Sequence, residues 1–292
     1  MNLLLILCYN FFWFLKWPFI SINTSGFRRL FILIFLTLCS TNSCCAHDEK
    51  ENKPRVSIIT SVFKGDKFIK GFMDDIVKST IFDQCELIII NAASPENEER
   101  VIKEYLSKYK NILYLKLDRD PGLFAVWNIA IKLARADFIT NANIDDRRNP
   151  ESIEMQVRAL EEDPTVDLVY NNYVISHSAN VIYDPKLINL WGEPPQFSLK
   201  NMRYCLPGPQ PMWRKSFHER YGYFDESLKF VGDFEMWLRA VSKGSKFKKI
   251  SGFSGVYYNN PQSLTNKTEN KHQDERQKEG VRSIRKYESM WQ

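Results

Sequence analysis

The strongest constraint on the fold is an alternation of apolar strand-like runs and amphipathic segments between residues 56 and 141 of the 292-residue chain. The runs are rich in β-branched residues, and the segments between them repeat apolar residues at helical spacing. Predicted strands cover 56–63, 87–90, 112–117 and 137–141, and predicted helices cover 68–79, 101–109 and 123–134. Strands and helices that alternate at this pitch favour an α/β fold with a mainly parallel central sheet and helices on both faces.

Polar side chains follow each predicted strand at its carboxyl end. They occur at Thr60-Ser61, Asn91 to Ser94, Asp118 to Gly122, and Asn143 to Asp146. Ligands of open sheets of this type bind outside the carboxyl ends of the strands, so we expect a ligand site there. A dinucleotide fold for hydride transfer would need a glycine-rich first turn, and the turn after the first strand contains a single glycine, which disfavours that alternative.

The turn Asn143-Ile144-Asp145-Asp146 after the fourth predicted strand is a candidate cation site. It offers a side-chain amide and two carboxylates within four residues. Mg²⁺ and Mn²⁺ take oxygen ligands and commonly bridge protein carboxylates to a substrate's phosphates. Asp and Asn are also favoured in turns and as helix caps, and Pro150 marks a helix start, so capping is the alternative.

Charge and cysteine usage exclude several classes of protein. The net charge is +5, but Lys16, Arg28 and Arg29 carry three of these charges, so nothing favours nucleic-acid binding. The six cysteines form neither a zinc pattern nor a disulfide framework. Cys85 opens an apolar run, where a free cysteine usually lies in the core.

The first 46 residues resemble a targeting segment. A nine-residue apolar run at 30–38 follows Arg28-Arg29 and precedes small residues, as in an export signal cleaved after Ala46. Two alternatives stay open, lipid attachment at Cys44 and a membrane hairpin with the two arginines on the cytoplasmic side. Nine apolar residues are too few to span a bilayer alone. We therefore predict membrane association or export through this segment, with the topology open.

The order of the motifs resembles the inverting glycosyltransferases of family 2, which bind a nucleotide-sugar donor on the GT-A fold. The similarity covers about residues 55–265. Stretches that match the family's pattern are the strands at 56–63 and 87–94, the helix Gly122 to Ile131, the Asp-x-Asp-Asp strand at 139–146, and the motifs Gly222 to Glu226 and Gly232 to Arg239.

The resemblance implies a role for particular residues. Donor contacts are expected from Thr60, Ser61, Val62, Asn91, Ser94, Gly122, Asn128 and Asp146. A divalent Mn²⁺ or Mg²⁺ is expected at Asp145 and Asn143. Asp233 is expected to act as the general base, although a helix cap would also explain an aspartate at that position. Glu235 is a second candidate for the base.

Several positions depart from the family's pattern. Asn91-Ala92 replaces two acidic residues in the donor turn, which leaves recognition of the base open. Asn143 replaces the first acid of the metal motif and Trp127 replaces an arginine. A branch with altered donor recognition would show these departures, and so would a non-catalytic copy of the fold.

The C-terminal half adds acceptor candidates. Residues 183–204 are irregular and contain Trp191 and Tyr204, whose flat faces suit either sugar contacts or packing. His218 and His272 are expected at the surface. The charged end of the chain predicts a helix from about Asp274 to Tyr287 with a solvated face.

We therefore predict four segments: a targeting segment at 1–46, a linker at 47–55, a GT-A domain at 56–265 and a charged helix at 266–292. The expected activity is metal-assisted, inverting transfer from a nucleotide-diphosphate sugar to a hydroxyl of a glycan or lipid-linked acceptor. The expected partners are the donor, the acceptor and a membrane, with no nucleic acid. A non-catalytic binding protein of the same fold is the alternative, and a secreted structural lipoprotein is a third interpretation.

Overall fold

A computed structural model of the protein describes residues 53–264, 266 and 270–291. The predicted targeting segment at 1–46 and most of the linker lie outside these residues. Lys53–Gln292 forms one compact unit. None of the helices in the described part is long and apolar enough to cross a membrane.

The described residues form one nine-stranded sheet with helices between the strands. The strands are β1 (Val56–Val62), β2 (Cys85–Asn91), β3 (Ile112–Lys116), β4 (Phe138–Asn141), β5 (Arg147–Arg148), β6 (Leu168–Ser176), β7 (Trp191–Gly192), β8 (Met212–Arg214) and β9 (Phe247–Tyr258). The α-helices are α1 (Asp66–Ile76), α2 (Glu98–Leu106), α3 (Leu123–Leu133), α4 (Ser152–Glu162), α5 (Ser216–Tyr221), α6 (Gly232–Ser242) and α7 (Asn270–Lys286). Short 3₁₀ turns occupy Phe82–Gln84, Lys200–Arg203 and Glu288–Trp291.

The sheet has a parallel half and a mixed half. Its strand order is β3-β2-β1-β4-β8-β6-β9-β5, and β7 pairs with β6. The first four strands are parallel, so their carboxyl ends lie on one edge. Antiparallel β8 follows β4, and the long β9 runs parallel to β6 and pairs at its far end with the two-residue β5. The tip of β9 therefore returns to the turn that follows β4.

Two apolar cores lie on opposite faces of the sheet. Successive residues of β2 alternate between them, since Leu87 and Ile89 join one core whereas Ile88 and Ile90 join the other. Helices α1, α2 and α4 cover the first face, and α3, α5 and α6 cover the second. The uninterrupted apolar sequence of β2 follows from this burial on both faces.

Some expectations for single elements are wrong. The sequence predicts two short strands after α4, at 166–170 and 173–175, whereas the structure has one continuous strand there, β6. His218, expected at the surface, is buried and accepts a hydrogen bond at Nε2 from Trp213 Nε1 at 2.8 Å. The end of the chain is not merely a solvated surface, because Ile284 of α7 and three residues beyond the helix, Tyr287, Met290 and Trp291, pack against the second core. Cys85 is buried, as predicted.

Candidate functional site

The acidic turn lies between β4 and β5, and the end of β9 contacts it. Asp145 is half-buried, and its Oδ2 accepts a hydrogen bond at 3.0 Å from Nδ2 of Asn260, two residues beyond β9. The backbone N–H of Tyr258 donates to Asp146 Oδ1 at 2.9 Å. The predicted motif and the returning strand thus form one structural unit.

Asp146 is an inward-facing carboxylate. It is 3% exposed, and its second oxygen accepts a hydrogen bond at 3.1 Å from the Asn143 amide. Burial, together with the neighbouring negative charge of Asp145, raises the pKa of Asp146 to about 8. Asp146 therefore fixes the shape of the turn, and Asp145 is the more accessible carboxylate of the pair.

Two buried arginines, which sequence reasoning missed, support the turn from below. The Arg147 guanidinium donates to the carbonyl of Ile144 at 3.0 Å and to the side chain of Asn180. Arg148 donates to the carbonyl of Asn141 at 2.9 Å and to the Thr140 hydroxyl. Burial lowers the pKa of Arg148 to about 10, which still leaves it charged at neutral pH.

Asn91 and Ser94 hold the turn after β2 in a fixed shape. The Asn91 amide oxygen accepts from the Ser94 N–H at 2.8 Å, and its NH₂ group donates to the Tyr114 hydroxyl at 3.3 Å. Ser94 in turn donates to the buried carboxylate of Glu98 at 2.8 Å and accepts from the Lys64 N–H at 2.9 Å. Both side chains are thus engaged inside the turn, and their donor-binding roles stay predictions.

The end of β1 offers mainly backbone to a ligand. The side chains of Thr60 and Val62 are buried, and the Val62 carbonyl accepts from the Ala92 N–H at 2.9 Å. Ser61 is half-buried. A donor at this edge would therefore meet Ser61 and main-chain atoms.

Gly122 immediately precedes α3, and Asn128 lies within that helix. Gly122 has φ 94° and precedes the helix, with its N–H bonded to Asp120. The Asn128 amide is buried, donating to the Phe224 carbonyl at 2.9 Å and accepting from the Phe224 N–H at 3.0 Å. These contacts join α3 to the loop before α6, and a direct contact of Asn128 with the donor stays a prediction.

Asp233 lies in the first turn of α6. Its Oδ1 accepts from the Phe234 N–H at 2.8 Å, and the Cys205 thiol lies 3.8 Å from its Oδ2. The surrounding protein removes water from the carboxylate and thereby raises the pKa of Asp233 above its usual value. Gly232 packs against Phe124, so the start of α6 meets the start of α3.

Glu235 cannot serve as the base, because its carboxylate is committed elsewhere. It is buried and bonded to Arg239 at 2.9 Å, to Lys286 at 2.9 Å and to the Tyr287 hydroxyl. Burial alone would raise the pKa of Glu235, but these three partners outweigh it and lower the pKa. This second candidate for the base is therefore a structural ion-pair centre.

One loop connects the acidic turn with Asp233. Residues 205–211 begin at Cys205, beside Asp233, and are fixed to β4 at their other end. There the Asn141 amide donates to the Pro209 carbonyl at 3.1 Å, and the Thr140 hydroxyl donates to the Pro211 carbonyl at 2.7 Å. The same edge of the fold thus presents both carboxylates, and the spacing of the sequence alone gave no sign of this connection.

The donor set suits a cation that is shared with a diphosphate. Among the described residues, no three His, Cys, Asp or Glu side chains converge as a preformed metal cage. Asp145 supplies one accessible carboxylate, whereas both oxygens of Asp146 are occupied by internal hydrogen bonds. Mg²⁺ and Mn²⁺ are commonly held by one or two carboxylates together with substrate phosphates, so the residues fit such an ion.

Comparison with known sequences identifies relatives of the whole domain. The sequence model of glycosyl transferase family 2 matches residues 57–222. An uncharacterized glycosyltransferase of Methanocaldococcus jannaschii is 26% identical over 210 residues, which cover 69% of this chain and 70% of that protein. Chondroitin synthase of Pasteurella multocida is 25% identical over 202 residues, which cover 68% of this chain and 20% of that protein.

Two solved structures share the fold. Residues 1–349 of S. aureus TarS match with a TM-score of 0.60 and 17% identity, covering 79% of this chain and 65% of that one. The mannosyltransferase PcManGT from Pyrobaculum calidifontis, in complex with GDP-Man and Mn²⁺, matches with a TM-score of 0.60 and 15% identity, covering 80% and 64%. The chain thus spans slightly less than two thirds of these solved chains.

Proposed function

The chain belongs to glycosyl transferase family 2, and from this premise we propose that it transfers a sugar with inversion from a nucleotide-diphosphate donor to an acceptor hydroxyl. Its fold is GT-A, as predicted from the sequence. The observation that carries the proposal is the presence of two half-buried carboxylates, Asp145 and Asp233, on one edge of the sheet. TarS has been solved with UDP-GlcNAc and PcManGT with GDP-Man, which supports a nucleotide-sugar donor.

The donor's diphosphate is proposed to lie against the acidic turn. Asp145 would hold Mn²⁺ or Mg²⁺ there, with Asn143 as a neutral oxygen ligand beside it. When bound, the ion offsets negative charge on the departing diphosphate. Asn260 donates a hydrogen bond to the Asp145 carboxylate, and Tyr258 fixes the neighbouring Asp146, which reduces the reorganisation needed at the moment of transfer.

Asp233 is proposed to accept the proton of the attacking hydroxyl. The acceptor oxygen forms a bond to the anomeric carbon on the face opposite the diphosphate, the bond from that carbon to the phosphate oxygen breaks, and the proton passes to Asp233. A carboxylate with a raised pKa is the stronger base once it is ionised. No lysine or arginine is hydrogen-bonded to Asp233 in the described part of the chain, so no ion pair opposes this transfer.

The acceptor is proposed to be a glycan or a lipid-linked glycan that approaches along the loop before β8. Tyr204 precedes the cysteine that contacts Asp233, and its side chain is 71% exposed. Trp191 is 49% exposed on the same long connection. Aromatic side chains with a flat apolar face and a polar edge suit the faces of sugar rings. Membrane attachment through residues 1–46 would place such an acceptor nearby, and this too is a proposal.

The test measures the binding of nucleotide sugars, with and without Mn²⁺, by the increase in the temperature of thermal unfolding. A ligand at 100 times its dissociation constant stabilises the folded state by about 2.7 kcal/mol. Asp145→Ala should abolish the Mn²⁺-dependent part of the stabilisation while the metal-free protein unfolds as before. Asp83→Asn, an exposed change at the amino end of β2, is the control. If Asp145→Ala retains the parental response to Mn²⁺, the site is misplaced.

A non-catalytic binding protein is the second candidate, and the departures at Asn91, Ala92 and Asn143 favour it. It predicts donor binding without donor hydrolysis or transfer at any Mn²⁺ concentration. Turnover measured with the donor that stabilises the protein most therefore separates the two functions.

A further inference from the structure

The C-terminal helix α7 contacts the backbone immediately before α6. One oxygen of the Glu279 carboxylate accepts from the Lys229 N–H at 3.0 Å. The other accepts from the N–H groups of Phe230 and Val231, at 2.8 and 3.3 Å. Val231, the residue before α6, makes no side-chain hydrogen bond to the start of the helix. A carboxylate from another helix thus holds the backbone that leads into α6.

A second attachment lies one turn further along α6. The buried Glu235 carboxylate accepts hydrogen bonds from the Lys286 ammonium at 2.9 Å and from the Tyr287 hydroxyl. Lys286 ends α7, and Tyr287 follows it. The two attachments, at Val231 and Glu235, therefore flank Asp233 on both sides.

The Asp233 carboxylate itself has little to hold it. Within the described residues its hydrogen-bond partners are the N–H of the next residue and the distant Cys205 thiol. Its position consequently depends on the backbone of residues 229–235, and that backbone is the part that α7 fixes.

We propose that Glu279 is a positioning residue for sugar transfer: through the backbone of residues 229–231 it holds the Asp233 carboxylate where the acceptor hydroxyl must be deprotonated. The inference rests on the proposed role of Asp233 as the base. Nothing in the sequence of α7 indicates this role, because the helix reads as a charged surface segment and its partners lie about 50 positions away.

Glu279→Gln is the informative substitution. It keeps the length of the side chain but leaves one acceptor oxygen where there were two, and it turns an NH₂ group toward a backbone N–H. A displacement of the reacting group by about 1 Å costs up to about 100-fold in rate, so we expect kcat for transfer to fall between about 10-fold and 100-fold. The KM for the donor should not change, because Glu279 lies on the α6 side of the site.

The experiment compares four proteins by single-turnover transfer: the parent, Glu279→Gln, Asp233→Asn and the double variant. Asp274→Asn, an exposed acid on the same helix, is the matched control and should transfer at the parental rate. If Glu279 acts through Asp233, its substitution causes no further loss in the Asp233→Asn background. The same fold-loss in both backgrounds, or a parental rate for Glu279→Gln, overturns the inference and leaves the proposed function standing.

Two further outcomes are distinguishable. If Glu279→Gln does not fold, Tyr287→Phe removes only the hydroxyl that donates to Glu235, and it should lower kcat several-fold at an unchanged donor KM. A parental kcat in that variant also counts against the inference. No transfer by the parent protein with any donor overturns the proposed function, and the positioning role with it.

Discussion

Replacement of Asp233 by Asn separates the two tasks proposed for this residue, accepting a hydrogen bond in the first turn of α6 and accepting a proton. Asn retains an amide oxygen that can accept the Phe234 N–H, so the contact measured at 2.8 Å survives. Within the described residues, the other hydrogen-bond partner is the Cys205 thiol at 3.8 Å, which is too distant to contribute much.

The expected change in the free energy of unfolding is therefore less than about 1 kcal/mol. Burial disfavours the charged form of Asp233, as its raised pKa shows, so the neutral Asn avoids this cost and offsets part of any loss. The rate of sugar transfer should change far more, because loss of a general base lowers the rate by about 10² to 10⁴-fold. That range corresponds to about 3 to 5 kcal/mol of barrier.

The assay is transfer of a labelled sugar under single-turnover conditions, with donor binding and thermal unfolding measured on the same samples. We expect Asp233→Asn to fold, to bind donor and Mn²⁺ like the parent, and to transfer at least 100 times more slowly, at the lower end of the range for a lost base. Asp83→Asn removes an exposed carboxylate at the other end of the sheet and should match the parent throughout. Near-parental transfer by Asp233→Asn would refute the base assignment, and Glu235 could not replace it because its carboxylate is held by three partners.

Two further predictions concern the acidic turn and a buried histidine. With donor present, Asn143→Asp should tighten Mn²⁺ binding by adding a negative charge. It should lower the stability of the metal-free protein, because it removes the amide donor to Asp146 and adds a like charge. Unchanged or weaker affinity in a Mn²⁺ titration with donor present would mean that Asn143 is a turn residue alone. Burial, above all, lowers the pKa of His218 to about 4, so between pH 6.5 and 4 the unfolded chain binds a proton that the folded chain does not, and folding stability falls as the pH falls, by about 3 kcal/mol. Urea unfolding at pH 7 and pH 4.5 should show a smaller loss in His218→Gln than in the parent, and an equal loss would contradict the assignment.

The parallel half of the fold could be predicted from the sequence because local patterns determine it. Strands β1 to β4 are short runs rich in apolar and β-branched residues, and the helices between them repeat apolar residues at helical spacing. Strand β9 was missed because its sequence contains lysines, serines and two glycines without strict alternation. One of those glycines is required by a contact distant in sequence: a Cβ on Gly255 would lie 2.1 Å from the Arg147 carbonyl oxygen.

The sequence predicts the residues of the candidate site, which stay a prediction, but it does not reveal the contacts between them and the rest of the fold. The motif residues themselves carry the signal, since Asp145 and Asp146 follow a strand and Asp233 begins a helix. Their partners, Asn260, Arg148 and Glu279, are recognisable only once the chain is folded, because each acts through a hydrogen bond to a distant segment. His218 was misjudged for the same reason, since its Trp213 partner gives it a buried place that no spacing reveals.

The departures from the family's pattern reduce the negative charge of the donor edge in a consistent way. Asn91 and Asn143 are neutral where the family usually has acids, and the buried guanidinium groups of Arg147 and Arg148 donate to backbone carbonyls at the turn and at the end of β4. The acidic turn therefore offers little negative charge to a cation that arrives without the donor. Affinity for a metal ion must then come largely from the donor's own diphosphate, so the two are expected to bind together, and a screen for metal binding without nucleotide would find little.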